Sequence, residues 1–164
     1  MKTLIHAAAA VALAATALTP AIAEDAQDEI IVSPSKALEN WRSDVSRDLS
    51  RHLDLADRWG KFNPDAGIVQ VRFTLDENGR PTAMETYRSS GSVSTDRAAM
   101  WAVARLNHLD DAPVRVTSGT TFQANIIFAE SPAQHDELAS KLAWIERKRL
   151  AANTAEADVI ALGS

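Results

Sequence analysis

A change in hydrophobic period at residue 67 constrains the fold of this chain more than any other feature of its sequence. From there onward apolar and polar residues alternate. The apolar set is Val69, Val71, Phe73 and Leu75, and the polar set is Gln70, Arg72 and Thr74. A period of two predicts a half-buried antiparallel strand over residues 67–75. Residues 76–81 contain Asn78-Gly79, which favours a tight turn, so residues 82–88 are predicted to return as the second strand of a hairpin.

The segments around the hairpin predict three helices and a third strand. Helical spacing predicts an amphipathic helix over residues 35–57, a second helix capped by Ser94 or Thr95, and a final amphipathic helix over about residues 133–152. Residues 121–128 alternate again. The predicted fold class is α+β, a small antiparallel three-stranded sheet in the order β-β-α-β with an extra N-terminal and an extra C-terminal helix. The helices are expected on one face of the sheet.

Residues 1–23 have the composition of a secretory signal peptide. Lys2 supplies the positive start, residues 4–18 are a continuous, mainly apolar stretch, and Ala21-Ile22-Ala23 is a small-residue cleavage site. Cleavage between Ala23 and Glu24 would release a secreted protein without a stable membrane span. The alternative is an uncleaved membrane anchor, although the apolar stretch is shorter than the roughly 20 residues that a spanning helix needs.

The remaining chain is expected to form one domain with short flanking segments. An acidic linker covers residues 24–33. The N-terminal helix and the β-β-α-β unit occupy residues 34–129, with the sheet core at 67–128. The C-terminal helix follows at residues 130–152, and residues 153–164 are predicted to be a flexible tail.

Composition excludes several classes of protein. The chain has no cysteine, so it can form no disulfide framework, zinc ribbon, iron–sulfur centre or thiol nucleophile. Its net charge is −5 with lysine and arginine scattered along the chain, which gives no electrostatic footprint for nucleic acid or anionic lipid. Nucleic-acid binding is therefore not expected.

The sequence contains no motif that places a catalytic or metal-binding group. Metalloprotease, nucleophile-elbow, phosphate-loop and dinucleotide patterns are all absent. His52, His108 and His135 lack a second histidine at metal-ligand spacing. A small hydrolase would need a pocket that unites His52 or His108 with Ser89 or Ser90. We therefore expect a protein that is not an enzyme and uses no cofactor and no metal.

Binding through a strand edge is the chemistry that the predicted sheet offers. The third strand comes last and must lie beside one strand of the hairpin, which leaves its other edge with unpaired N–H and C=O groups. Such an edge can accept an extended peptide. The candidate residues are Thr121, Phe122, Gln123, Ala124, Asn125, Ile126, Ile127 and Phe128. Gln123 and Asn125 are expected to point outward and give some selectivity. The alternative is an edge that the C-terminal helix covers.

An ordered series of short motifs resembles the C-terminal domain of TonB-family energy transducers. These motifs lie in residues 67–75, 76–81, 88–91, 96–100 and 126–128. The resemblance implies a periplasmic β-β-α-β domain that binds the TonB box of outer-membrane receptors by strand addition and serves transmembrane transport. By position, residues 121–128 match the family strand that receives the peptide.

The chain also departs from that family in ways that bear on function. Family members have an uncleaved anchor and a long proline-rich spacer, whereas this chain has a predicted cleavable leader and only six prolines, which are not clustered. The expected function is that of a periplasmic binding or adaptor module for a receptor peptide or another envelope protein. Two alternatives stay open. One is a structural envelope protein that forms a homodimer through its sheet edge or Trp101, and the other is a true energy transducer, if the leader is an uncleaved anchor.

Overall fold

The computed structural model describes residues 34–117 and 119–163. There are three α-helices, α1 (Pro34–Arg58), α2 (Val93–Val103) and α3 (Pro132–Ala152). A short 3-10 helix (Thr154–Asp158) follows α3. The strands β1 (Gly67–Leu75), β2 (Pro81–Arg88), β3 (Phe122–Phe128) and β4 (Ile160–Leu162) form a sheet in the order β2-β1-β3-β4. The predicted signal peptide, its cleavage site at Ala23 and Glu24, and the acidic linker 24–33 lie outside the described residues.

The predicted hairpin is confirmed, and its turn is fixed by local chemistry. β1 and β2 pair antiparallel. The Asp76 carboxylate accepts hydrogen bonds from the backbone N–H groups of Asn78 and Arg80, both at 2.9 Å, and the Arg80 bond is the largest cause of the lowered pKa of Asp76. Gly79 has a φ of +72°, and a Cβ there would lie 2.6 Å from Cγ of Asp110. The turn therefore requires glycine for its conformation and for space.

The main core lies between one face of the sheet and helices α1 and α2. Val69, Val71 and Phe73 of β1 are at most 1% exposed and belong to this core. The apolar stripe of α1 and the small residues of α2 cover them. The stripe consists of Trp41, Val45 and Leu49, and the small residues are Ala99 and Ala102. These alternate apolar residues of β1 face the main core, as the sequence predicts. The strand is not half-buried, however, because residues 68–71 are all buried and the opposite face is covered as well.

Helix α3 covers the opposite face of the sheet, which corrects the expectation that the helices share one face. Ile68 of β1 lies on that second face and packs with Leu142 and Ile145 of α3 in a separate small cluster. The apolar stripe of α3 is too narrow to reveal its partner face from periodicity alone. Polar side chains of α3 also contact the sheet, since Glu146 accepts hydrogen bonds from Gln70 and Gln123.

Two further details differ from the sequence predictions. The sheet has four strands and is mixed, because β4 pairs parallel with β3 and arises in the segment that was predicted to be a flexible tail. Three residues are too few to give a periodic signal. Helix α2 is capped by Ser92, whose hydroxyl accepts a hydrogen bond from the N–H of Thr95, whereas Thr95 itself is buried and bonded to Asp65.

Within residues 34–117 and 119–163, none of the helices combines the length and the apolar character needed to cross a membrane.

Candidate peptide-binding edge

The candidate strand β3 lies inside the sheet, between β1 and β4. On one side it pairs antiparallel with β1 along its whole length, from Phe122 opposite Phe73 to Phe128 opposite Gly67. On the other side it pairs with β4 over three positions, from Phe122 opposite Ile160 to Ala124 opposite Leu162. The outer edge of β3 is therefore covered along its first half by a strand, rather than by the C-terminal helix.

Strand β4 is seated by both its backbone and its side chains. The N–H of Ile160 donates to the carbonyl of Thr121 at 3.0 Å. Leu162 is only 1% exposed and Ile160 is partly buried, and both belong to the main core. The N–H of Gly163 donates to the Ser46 hydroxyl of α1 at 3.1 Å. Gly163 thus closes the segment against α1.

The second half of the β3 edge faces a groove against helix α1. In the part of the chain that the structure describes, residues 126–128 pair with no strand on this side. Two neighbouring cavities of about 210 and 500 Å³ lie here, and Ser50, Leu53 and Ile127 line both of them. This half of the β3 edge therefore borders a groove whose other side is formed by α1.

Gln123 and Asn125 lie under α3, which corrects the expectation that they point outward toward a ligand. Gln123 is fully buried and Asn125 is 5% exposed. The side-chain amides of Gln70 and Gln123 donate to Asn125 Oδ1 at 2.8 and 3.0 Å, and both also donate to Glu146 Oε1 of α3, again at 2.8 and 3.0 Å. These polar side chains hold α3 on the sheet and are not available to read a peptide.

An ionic cluster continues this network toward the 3-10 helix. The Arg149 guanidinium donates to Glu146 and to Glu156 at 2.8 Å each, and Glu156 also pairs with Arg72 of β1. Bonds from Arg149 and Arg72 lower the pKa of Glu156. Burial raises the pKa of Glu146, but bonds from Arg149 and Gln70 outweigh burial and lower it overall. Both carboxylates are therefore stabilised in their charged form.

A comparison with curated proteins finds one whose sequence is similar to part of this chain. The chain is 27% identical over 107 residues to Protein TonB of Pseudomonas putida. The chain is similar to TonB. The match covers 62% of this chain and 41% of that protein, so the chain spans about two fifths of the length of the curated relative. No family model matches the chain, and no solved structure matches it.

The histidines and serines that a hydrolase would need lie in separate surroundings. The Ser89 and Ser90 hydroxyls donate to the Asp96 carboxylate. Among the described residues, those that line the cavity beside both serines include Lys141 but no histidine. Burial raises the pKa of Asp96, and the bonds from Ser89 and Ser90 outweigh it and lower the pKa. His108 pairs with Asp111 at 3.1 Å in a different cavity.

The remaining histidines stand apart from any ligand set. His52 is partly buried, and its two buried ring nitrogens make no hydrogen bond; Nε2 lies 3.6 Å from Asp48. His135 faces Asp136 at 3.7 Å. Among the described residues, no group of three or more histidine, aspartate and glutamate side chains is placed to hold a metal ion.

Trp101 lies in an aromatic cluster at the end of α1. Its ring meets Trp59 edge-on at 6.0 Å and Phe62 at 6.3 Å between ring centroids. The Arg105 guanidinium lies 3.8 Å from the centre of the Trp101 ring. Trp59 is 65% exposed. The cluster ties the loop after α1 to α2.

Sequence reasoning missed the polar contact between α3 and the sheet. The signal was present in the spacing of Glu146 and Arg149, which lie three positions apart and therefore on one side of a helix. What the spacing could not show was that this side faces Gln70 and Gln123.

Proposed function

We propose that this protein is a TonB-like binding or adaptor module of the cell envelope, located in the periplasm and without catalytic activity. It binds an extended peptide from an outer-membrane receptor, or from another envelope protein, by strand addition at the outer edge of β3. One observation carries the proposal: this edge already accepts an added parallel strand, β4, over Phe122 to Ala124. The similarity to TonB supports the same class of function.

Backbone groups of β3 would supply most of the affinity of this interaction. Strand addition satisfies unpaired N–H and C=O groups whatever the sequence of the ligand, and side-chain pockets then select among ligands. Selectivity would come from the groove beside Ser50 and Leu53, since Gln123 and Asn125 are occupied under α3. A peptide seated there would have its side chains against α1.

Chemical-shift mapping on the isotopically labelled full chain tests the proposal. Titration with TonB-box peptides of outer-membrane receptors is expected to shift the amide signals of residues 122–128 more than those of β2. The same peptides with N-methylated backbone amides cannot donate to a neighbouring strand and are expected to bind at least about tenfold more weakly. An absence of shifts along β3 at saturating peptide would overturn the proposal.

A matched pair of variants tests whether the peptide occupies this groove. Ser50 lines both cavities, whereas Ser43 is exposed on the same helix and lines neither. Ser50→Arg is expected to weaken binding at least about tenfold by filling the groove, and Ser43→Arg is expected to leave it unchanged. Equal effects of the two variants would place the peptide elsewhere.

Self-association through a sheet edge is the competing proposal, and the exposed edge at β2 disfavours it. β2 carries Pro81, a positive φ of 47° at Ala83 and two register shifts against β1. Irregularities of this kind protect edges from pairing with other chains. A homodimer detected by light scattering at high concentration would favour self-association instead. Sequencing the N-terminus of the mature protein separates the binding module and the self-associating protein from an energy transducer. A chain retained in membranes with Met1 would indicate an anchored transducer, and a chain that begins at Glu24 would indicate a free protein.

A further inference from the structure

Strand β4 occupies the same edge that the proposed function assigns to a partner peptide. It runs parallel to β3, with Ile160, Ala161 and Leu162 opposite Phe122, Gln123 and Ala124. Its alternate residues Ile160 and Leu162 both contact the main core. The chain therefore contains its own example of a strand bound at this site.

The residue after β4 restricts what can follow such a strand. Gly163 has a φ of +81°, and a Cβ at this position would lie 2.4 Å from the carbonyl oxygen of Asn125. Because the atom that it would meet belongs to the backbone, no side-chain movement can relieve this contact. Only glycine fits where the bound segment passes Asn125.

The backbone ladder that attaches β4 is short, and the segment before the strand has an anchor of its own. The ladder to β3 has three pairs, whereas β1 and β3 share seven. The preceding 3-10 helix is held by Glu156, which pairs with Arg149 of α3 and Arg72 of β1. Segments with few backbone pairs and external anchors open at lower free energy than central strands do.

We infer that β4 is a displaceable occupant of the binding edge and that its pattern defines the partner: an extended peptide with an aliphatic residue, a small residue, an aliphatic residue and then glycine, running parallel to β3. This inference rests on the proposed function. Because only chains with β4 undocked can bind, the apparent dissociation constant equals the intrinsic one divided by the undocked fraction. Loosening β4 therefore strengthens binding of a partner.

The test uses the full chain with Gly163→Ala and a synthetic peptide of sequence Asp-Val-Ile-Ala-Leu-Gly, which repeats residues 158–163. Alanine in the left-handed region, with its Cβ against Asn125, is expected to raise the undocked fraction at least about tenfold. The peptide should then bind the variant at least tenfold more tightly than the wild type. Gly60→Ala is the matched control, since Gly60 has a φ of +59° but nothing within 4 Å of an added Cβ.

A second variant tests the undocking of β4 by removing a different contact. Glu156→Gln removes the charge that pairs with Arg72 and Arg149 and leaves β3 and β4 unchanged. It should also tighten peptide binding and speed amide hydrogen exchange at residues 122–124. If neither variant changes exchange there, β4 is a fixed part of the sheet and the inference is wrong.

The outcomes separate this inference from the proposed function. Equal affinity of the wild type and the Gly163→Ala chain for the peptide, with faster exchange in the variant, would mean that β4 does not compete for the edge, while the proposed function stands. Failure of every chain to bind this peptide and the receptor peptides, despite faster exchange, would overturn the proposed function itself. A peptide with valine in place of its glycine should bind at least about tenfold more weakly, and equal binding would contradict the assigned pattern.

Discussion

Replacing Arg149 by methionine tests whether polar groups hold α3 on the sheet. Arg149 is only 8% exposed, and its guanidinium donates to Glu146 and Glu156 at 2.8 Å each. Methionine retains much of the aliphatic stem and removes the charge and all the donors. The substitution therefore leaves two carboxylates without their shared cation.

The expected loss of stability depends on the hydrogen-bond partners that the two carboxylates retain. Removing one partner of a buried ion pair costs about 3–5 kcal/mol, because the remaining charge is uncompensated. Glu146 keeps the amides of Gln70 and Gln123 at 2.8 and 3.0 Å, and Glu156 keeps Arg72. The lower end, about 3 kcal/mol at neutral pH, is therefore expected. With a urea dependence of about 2 kcal/mol per molar, the unfolding midpoint should fall by about 1.5 M.

Urea unfolding followed by circular dichroism measures this loss. Arg147→Met is the matched control, since Arg147 is exposed on the same helix, and it should change the free energy of unfolding by less than about 0.5 kcal/mol. A loss below about 1 kcal/mol for Arg149→Met, the value of an exposed ion pair, would refute a buried cluster that holds α3 in place.

The same cluster makes a signed prediction about pH. The pKa values of Glu146 and Glu156 are lowered in the folded protein, so the unfolded chain binds more protons as the pH falls. Their stabilisation is complete above the ordinary pKa of 4.5 and is lost as the pH drops through the folded values. Melting temperatures measured from about pH 7 down to pH 3 should fall below about pH 5, and should fall less for Arg149→Met. Parallel curves for the two chains would contradict this account.

Two further substitutions probe the turn and the core. Gly79→Ala should lower the free energy of unfolding by more than about 2 kcal/mol, because the strain of a left-handed alanine adds to the clash with Asp110. Gly91→Ala is the control and should lower it by about 1 kcal/mol, because an added Cβ there has no neighbour within 4 Å. Equal urea midpoints for the two variants would show that Asp110 moves aside. Trp41→Phe should cost about 1–2 kcal/mol, because the indole N–H of the buried Trp41 donates to the carbonyl of His108 at 3.0 Å in a partly buried bond. An unchanged urea midpoint for this variant would show that the bond contributes nothing.

The hairpin and the first helix could be predicted from sequence because each leaves a strong local signal. Apolar and polar residues alternate over residues 69–75 of β1, and the Asn78-Gly79 turn permits the positive φ that the structure has at Gly79. The apolar stripe of α1 keeps helical spacing from Leu38 to Ala56 within a helix of 25 residues. These features depend on neighbours within one element, which is what periodicity records.

The covering of the candidate edge could not be predicted, because it depends on contacts between distant segments. β4 has three residues and gives no periodic signal, and its position beside β3 follows from the path of α3. The polar residues of β1 looked solvent-facing because alternation cannot distinguish water from a polar helix. Gln70 is fully buried under Glu146. Residues 122–128 do form the predicted strand, but it lies inside the sheet and not at its edge, and its binding role stays a prediction.

The pairing of Trp59 with Trp101 gives this protein an internal optical marker. Two indole rings at 6.0 Å and nearly perpendicular couple electronically, and such coupling produces a distinct band in far-ultraviolet circular dichroism. The pair joins the loop after α1 to α2, while the helices supply most of the remaining signal. Loss of that band with the helical signal intact would therefore record opening of this junction alone, separately from unfolding of the domain.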